Sequence, residues 1–158
     1  MPIYCNYNNI PGDVTESTHT GWIELNSCQW GVGRGISSPT GGSEDRESSA
    51  PSVSEIVTTK PTDIASPKLL NEAYQGTGQD VTIDFCKTTA GQLQVYLTLI
   101  TKNTMISGYS LSSGGDQPNE SLSFNFTNIE FKSTPTGASG AAGSPDAVTY
   151  DIGQAKVC

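Results

Sequence analysis

The stretch Gly31-Val-Gly-Arg-Gly35 has the glycine spacing of a phosphate-cradling turn, in which backbone N–H groups close on an anion at the start of a helix. Position 36 is isoleucine where a third glycine should stand, and no helical pattern follows. That chemistry is therefore not carried through. GGSEDRES at 41–48 gathers acidic residues but lacks the alternating ligand spacing of a calcium loop, and reads as a solvated charged tip. The four cysteines, at 5, 28, 86 and 158, form no CxxC pair and have no histidine near them, so zinc-ligand spacing is absent. His19 is the single histidine, which leaves one centre for a Ser-His or Cys-His dyad. Its neighbours Ser17, Thr18 and Thr20 are what any polar turn contains, and it reads as a structural histidine at the start of a strand. Among sixteen acids none is embedded in an apolar run that would raise its pKa. Asp84 comes closest, and it alternates outward from Val81, Ile83 and Phe85. The pattern calls for no cofactor and no metal, and it does not look like an enzyme. Trp22 and Trp30, eight apart, would share a face of one unbroken strand, which allows either a sugar-stacking pair or core and interface packing.

The elements that must position these residues are mostly strands. Ile3, Cys5 and Tyr7 alternate with Tyr4 and Asn6, and Ile23 and Leu25 alternate with Trp22 and Glu24. Further strands are expected over 53–59, 80–87, 92–100, 105–112, 122–131 and 148–152. The 92–100 strand is apolar on both faces and should be central. In the 122–131 strand Leu122, Phe124 and Phe126 share one phase and Ile129 and Phe131 the other, which suggests a bulge near Thr127 and Asn128. One segment breaks the pattern. Ser66-Pro67 forms an N-cap and first-turn pair, Leu69, Leu70, Ala73 and Tyr74 fall at helical spacing, and Gly76 supplies the stop. The expected fold class is all-β with one short α-helix, as a two-sheet β-barrel or sandwich in a single domain, 1–158.

Charge narrows the partners. Eight basic against sixteen acidic residues give a net charge of −8, which disfavours nonspecific attraction to nucleic acid or to an anionic membrane. The N-terminus MPIYCNYNN has neither a basic nor an apolar leader region, and no run approaches the ~18 apolar residues of a membrane span. Synthesis in the cytoplasm without membrane insertion is expected. Buried free thiols at Cys5, Cys28 and Cys86, and an exposed one at Cys158, follow from that compartment.

The segment ESTHTGWIELNSCQWG at 16–31 resembles the hemolysin-coregulated protein (Hcp) family, the tube subunit of bacterial type VI secretion. The resemblance continues through SEIVTTKPTDIASPKLLNEAYQG at 54–76 and ISGYSLSSGGDQPNESLSFNF at 106–126, in the same order and at compatible spacing. It implies a β-barrel protomer with His19, Glu24 and Trp30 as structural motif residues, assembling as a homohexameric ring. Rings would stack into a tube that a contractile sheath expels beneath a spike protein, with small effectors carried in the lumen. It also implies secretion by that machine without a signal peptide. Cys5, Cys28 and Cys158 depart from it, since apolar residues are expected at such positions. A carbohydrate-binding β-sandwich module is the alternative that the two tryptophans leave open.

Within that frame the extended loop at about 31–52 reads as an assembly arm. From Trp30 to Glu55 the chain holds five glycines and seven serines and little that could anchor in a core. Gly31, Gly33 and Gly35 would let the backbone turn and approach closely beside Arg34, while Asp45, Arg46 and Glu47 would offer charge complementarity to a neighbouring subunit or ring.

Overall fold

The computed structural model describes residues 1–38, 48–135 and 143–158. Strand β1 (Ile3–Tyr7) pairs antiparallel with β2 (Ile23–Leu25) on one side and β7 (Gln79–Thr89) on the other. After a single residue, Asn26, the chain continues as β3 (Ser27–Gln29), which pairs with β6 (Ile56–Pro61). The Asn26 N–H donates to the Thr59 carbonyl at 2.7 Å, so pairing passes from one sheet to the next without a gap. Strand β6 pairs with β9 (Asn119–Asn125), β9 with β8 (Gln92–Ser112), and β8 with β7. The circuit closes into a barrel, which leaves no long edge along those strands. Three strands extend the sheet beyond it as a wing: β10 (Asn128–Ser133) on β8, then β11 (Asp146–Asp151) and β12 (Lys156–Val157). The remaining pair, β4 (Val32–Gly33) with β5 (Ser52–Val53), forms a separate ribbon.

Alternation in the strands builds the interior. Cys5, Tyr7, Ile23, Leu25, Ile56, Val81, Ile83, Leu99, Leu122 and Phe124 are buried together inside the barrel, roughly 1.5–3 kcal/mol for each fully buried large side chain. The outward phase of β1 and β7 is not left in water. Tyr4, Val14 and Cys86 are buried in a second small cluster there, packed with Trp22, Leu93 and Val95 beneath the loop that joins β1 to β2. Asn8 and Asn9 both take positive φ in the turn that starts this loop, the conformation for which a two-asparagine turn is suited. Further on, a Cβ at Gly12 would lie 2.3 Å from the Trp22 carbonyl oxygen, so only glycine lets the loop close this tightly.

Three expectations need correction. The strands expected at 92–100 and 105–112 are one strand, β8, because Thr101-Lys-Asn-Thr104 forms a bulge and not a loop: Val81 opposes Thr101 while Gln79 opposes Thr104, and Asn103 carries the extra residue at positive φ. The phase slip in 122–131 is a break at Phe126–Thr127 between β9 and β10. Lys102 opposes Asn128 and Met105 opposes Asn125, three steps on each side, so no residue is extra and the slip is a corner. In the helix α1 (Ser66–Gln75), Ser66 is the first helical residue and not the cap. The Asp63 carboxylate accepts the Ala65 N–H at 3.0 Å, and Ser66 Oγ accepts the Asp63 N–H at 3.0 Å. Leu69 faces the core, whereas Tyr74 turns out and is 80% exposed.

Candidate assembly surface

The described limbs of the glycine–serine stretch, residues 31–38 and 48–54, pair with each other as a β-ribbon apart from the barrel sheet. The Gly31 N–H donates to Ser54 Oγ and the Ser54 N–H to the Gly31 carbonyl, both at 2.9 Å, Val32 opposes Val53, and Gly33 opposes Ser52. Beyond Pro51, which has no N–H to give to a rung, pairing resumes one residue out of step. There the Ser49 N–H donates to Gly35 at 2.9 Å, and Ile36 bridges Ser48. All of Gly31–Ile36 is exposed, including Arg34, with Val32 at 56% and Ile36 at 48%. Val53 is half-buried against the main core at the base of the ribbon, while Val32 and Ile36 stand in water and gain little from their own subunit.

The subunit by itself makes little use of two of the three glycines. A Cβ at Gly31 or Gly33 would meet nothing within 4 Å, and neither has a positive φ, so within the subunit they neither turn sharply nor approach another backbone. Gly35 is tighter, with Ser49 Oγ 3.1 Å from where its Cβ would stand. Asp45, Arg46 and Glu47 lie outside the described residues.

The motif residues occupy separate places. His19 is buried under the β1–β2 loop, its Nδ1 2.7 Å from Glu16 Oε2 and its Nε2 2.8 Å from Asp84 Oδ2. Asp84, expected outward, does point away from the barrel interior, but the loop covers it, and Thr98 Oγ1 donates to its other oxygen at 2.9 Å. Trp22 meets the His19 ring edge-on at 4.7 Å and Tyr4 lies 4.9 Å from it on another side. A histidine held on both nitrogens and walled by aromatics ties the loop to the sheet and has no free nitrogen for substrate. Glu24 is exposed on β2, opposite Tyr4. Trp30 packs with the main core and stacks on Phe131 at 6.4 Å. Because the strand breaks at Asn26, Trp22 and Trp30 belong to different clusters and form no shared platform for a sugar ring.

A charge cluster centred on the fully buried Lys60 and Glu120 escaped the sequence reading. Lys60 Nζ contacts Glu120 Oε1 at 2.6 Å, Asp63 Oδ1 at 2.9 Å, the Pro61 carbonyl at 2.9 Å and Ser66 Oγ at 3.2 Å, while the Tyr109 hydroxyl donates to the other oxygen of Glu120. The cluster joins β6, α1, β8 and β9. Its signal was phase: Lys60 follows Ile56 and Thr58 inward, and Glu120 precedes Leu122 and Phe124 inward. Among the described residues no group of three or more His, Cys, Asp or Glu is placed to hold a metal ion. No helix of the described residues is long and apolar enough to cross a membrane.

Comparison with known proteins agrees with this architecture. A structure of a type six secretion system protein superposes with a TM-score of 0.91 at 23% identity, covering 99% of each chain. Hcp1 from Salmonella typhimurium follows at 0.79 and 19% identity, over 99% of this chain and 98% of that one. A type VI secretion system effector from Yersinia pestis gives 0.74 at 20% identity, over 95% of this chain and 99% of its own. No curated protein matches the chain in sequence. The family model described as type VI secretion system effector, Hcp, matches residues 4–132, from β1 into β10. With a barrel, one helix and a separate ribbon on that frame, the chain belongs to the Hcp family of type VI secretion tube and effector proteins.

Proposed function

We propose that this chain works as a ring of six copies stacked into a secreted tube, and that the ribbon Gly31–Ser54 is the arm by which a subunit grips a neighbour. The exposed ribbon carries this reading: it pairs with itself, is anchored on the core only through Val53 at its base, and presents Val32 and Ile36 to water. Gly31 and Gly33, unneeded by the subunit's own backbone, leave the arm flat enough for another surface to lie against it. Arg34, Asp45, Arg46 and Glu47 add charge for a neighbour to match. Hexameric assembly is known for the family, and closed cyclic symmetry uses every copy of such a contact. On the same reading the sheath and spike of the secretion machine are its partners, small effectors travel in the lumen, and the protein leaves the cytoplasm through the machine.

Native mass spectrometry tests the ring, with a species of about 100 kDa expected from copies of 16.6 kDa. Replacing residues 35–49 by a short Gly-Ser linker tests the arm. Unfolding should stay cooperative because loop-closure entropy changes slowly with length, while stacking and export are lost. Normal tubes and normal export from the linker variant would defeat the arm, and a monomeric wild type would defeat the ring.

A further inference from the structure

The loop between β1 and β2 closes mainly on itself: Gly12 donates to the Gly21 carbonyl, Gly21 to Val14, and Val14 to Trp22, at 2.8–3.1 Å. Between Pro11 and Trp22, among the described residues, one side-chain hydrogen bond reaches the sheet. It runs from His19 Nε2 to Asp84 Oδ2 on β7, at 2.8 Å. The other ring nitrogen, Nδ1, lies 2.7 Å from Glu16 Oε2 on the loop itself, and the histidine is only 3% exposed, so water does not replace either partner.

A carboxylate can only accept, so each ring nitrogen needs a proton of its own, and an imidazole with two N–H groups is a cation. Thr18 offers no escape. Its hydroxyl lies 2.9 Å from Nδ1 and 2.7 Å from Glu16 Oε2, and turning its proton to the ring would leave that oxygen 2.7 Å from a bare nitrogen lone pair. Nor does the proton belong on Glu16, because hydrogen bonds from Thr18 and then from His19 hold its carboxyl at about 2. Asp84 accepts from Thr98 at its second oxygen. The other titratable groups packed around the ring are Tyr4 on β1 and Cys86 on β7, with Glu24 on β2 opposite Tyr4 and Lys132 on β10 at the rim of the hollow beside His19. None of these hydrogen-bonds to the imidazole. Two carboxylates in contact outweigh one ammonium out of contact, and they favour the charged ring. We infer that the folded protein holds His19 as an imidazolium clamped between Glu16 on the loop and Asp84 on β7, and that this proton latches the loop to the sheet. The latch is closed while the proton is bound. As rising pH removes it, a nitrogen lone pair is turned against a carboxylate oxygen, and the loop lifts from Tyr4 and Cys86, which it covers.

The chain has one histidine, so its ring signals in nitrogen-15 NMR of the full chain belong to no other residue. At pH 7.5, where an ordinary imidazole is about nine-tenths neutral, both nitrogens of His19 should read as protonated. In Asp84→Asn or Glu16→Gln the new amide can donate as well as accept, so the ring needs one proton fewer and should read as neutral at the same pH. Amide exchange then links charge to loop. As pH rises, the Val14 and Gly21 amides should lose about tenfold or more of their protection, corrected for the intrinsic pH dependence of exchange, over the interval in which the ring loses its proton. Ile83 on β7, paired on both sides, should keep its protection. A wild-type ring with one bare nitrogen at pH 7.5, or a ring that stays charged in both variants, would overturn the clamp. Loop amides that stay protected after the ring has become neutral would overturn the latch.

Discussion

Lys60 Nζ lies 2.6 Å from Glu120 Oε1 inside the molecule, joining strands sixty residues apart in the chain, and both side chains are essentially removed from water. The same ammonium reaches Asp63 and Ser66 at the start of α1, so one buried charge fixes the helix to the barrel. Removing one member strands the other. Glu120→Gln or Lys60→Met should cost about 3–5 kcal/mol in urea unfolding. Lys60→Met combined with Glu120→Leu should recover a good part of that, since apolar replacement of a whole buried pair is often neutral. A loss under about 1 kcal/mol from either single variant would contradict this account.

Stability should fall on the acid side. Hydrogen bonds from Thr18 and then from His19 hold the Glu16 carboxyl at about 2, down from 4.5. Burial pushes Glu120 up, but hydrogen bonds from Lys60, Tyr109 and Ser66 outweigh it and leave it lowered as well. A carboxyl whose folded value lies below its unfolded value contributes fully above the unfolded value, and the contribution disappears as pH falls through the folded one. The melting temperature should thus hold down to about pH 4.5 and decline steadily toward about pH 2, with a shallower decline in Glu16→Gln. A midpoint flat across that window would show that these contacts do not survive in solution.

The thiols should sort by burial. Cys5 and Cys86 are buried and Cys28 is half-buried, where full burial was expected, while Cys158 is exposed. Burial raises the pKa of all three inner thiols, pushing Cys28 and Cys86 up to about 11, and the thiolate is the reactive form. A maleimide or disulfide reagent at neutral pH should modify Cys158 within minutes, Cys28 slowly, and Cys5 and Cys86 only on unfolding. Peptide mapping after timed quenching reads the order directly. Early labelling of Cys5 would mean that the barrel opens between β1 and its neighbours.

Salt should favour stacking. Rings built from copies at −8 repel at long range, and screening shortens that range from about 10 Å at 0.1 M salt to about 3 Å at 1 M. Electron microscopy should show longer stacks at the higher salt. Stacks that dissolve steadily as salt rises would mean that specific ion pairs between rings outweigh the net charge.

Much of the fold was legible because its cause is local. Alternation in Ile3–Tyr7, Ile23–Leu25 and Gln79–Thr89 reports which side chains a strand buries, and Pro67 with Gly76 brackets the single helix whatever lies around it. The glycine–serine run declared itself as something other than core through composition alone. Partnership was not legible. Whether Thr101–Thr104 is a loop or a bulge depends on the strand lying opposite, and so does whether Phe126–Thr127 is a bulge or a corner. The break at Asn26 that parts Trp22 from Trp30 arises because β1 claims one half of that run and β6 the other. Lys60 sat visibly in the inward phase, yet only the register of β6 against β9 supplied Glu120 to make its burial tolerable. Burial phase is written residue by residue, so the sequence by itself determined which side chains turn inward. Pairing between segments far apart in the chain depends on every strand at once, and only the tertiary structure decided what each inward side chain would meet.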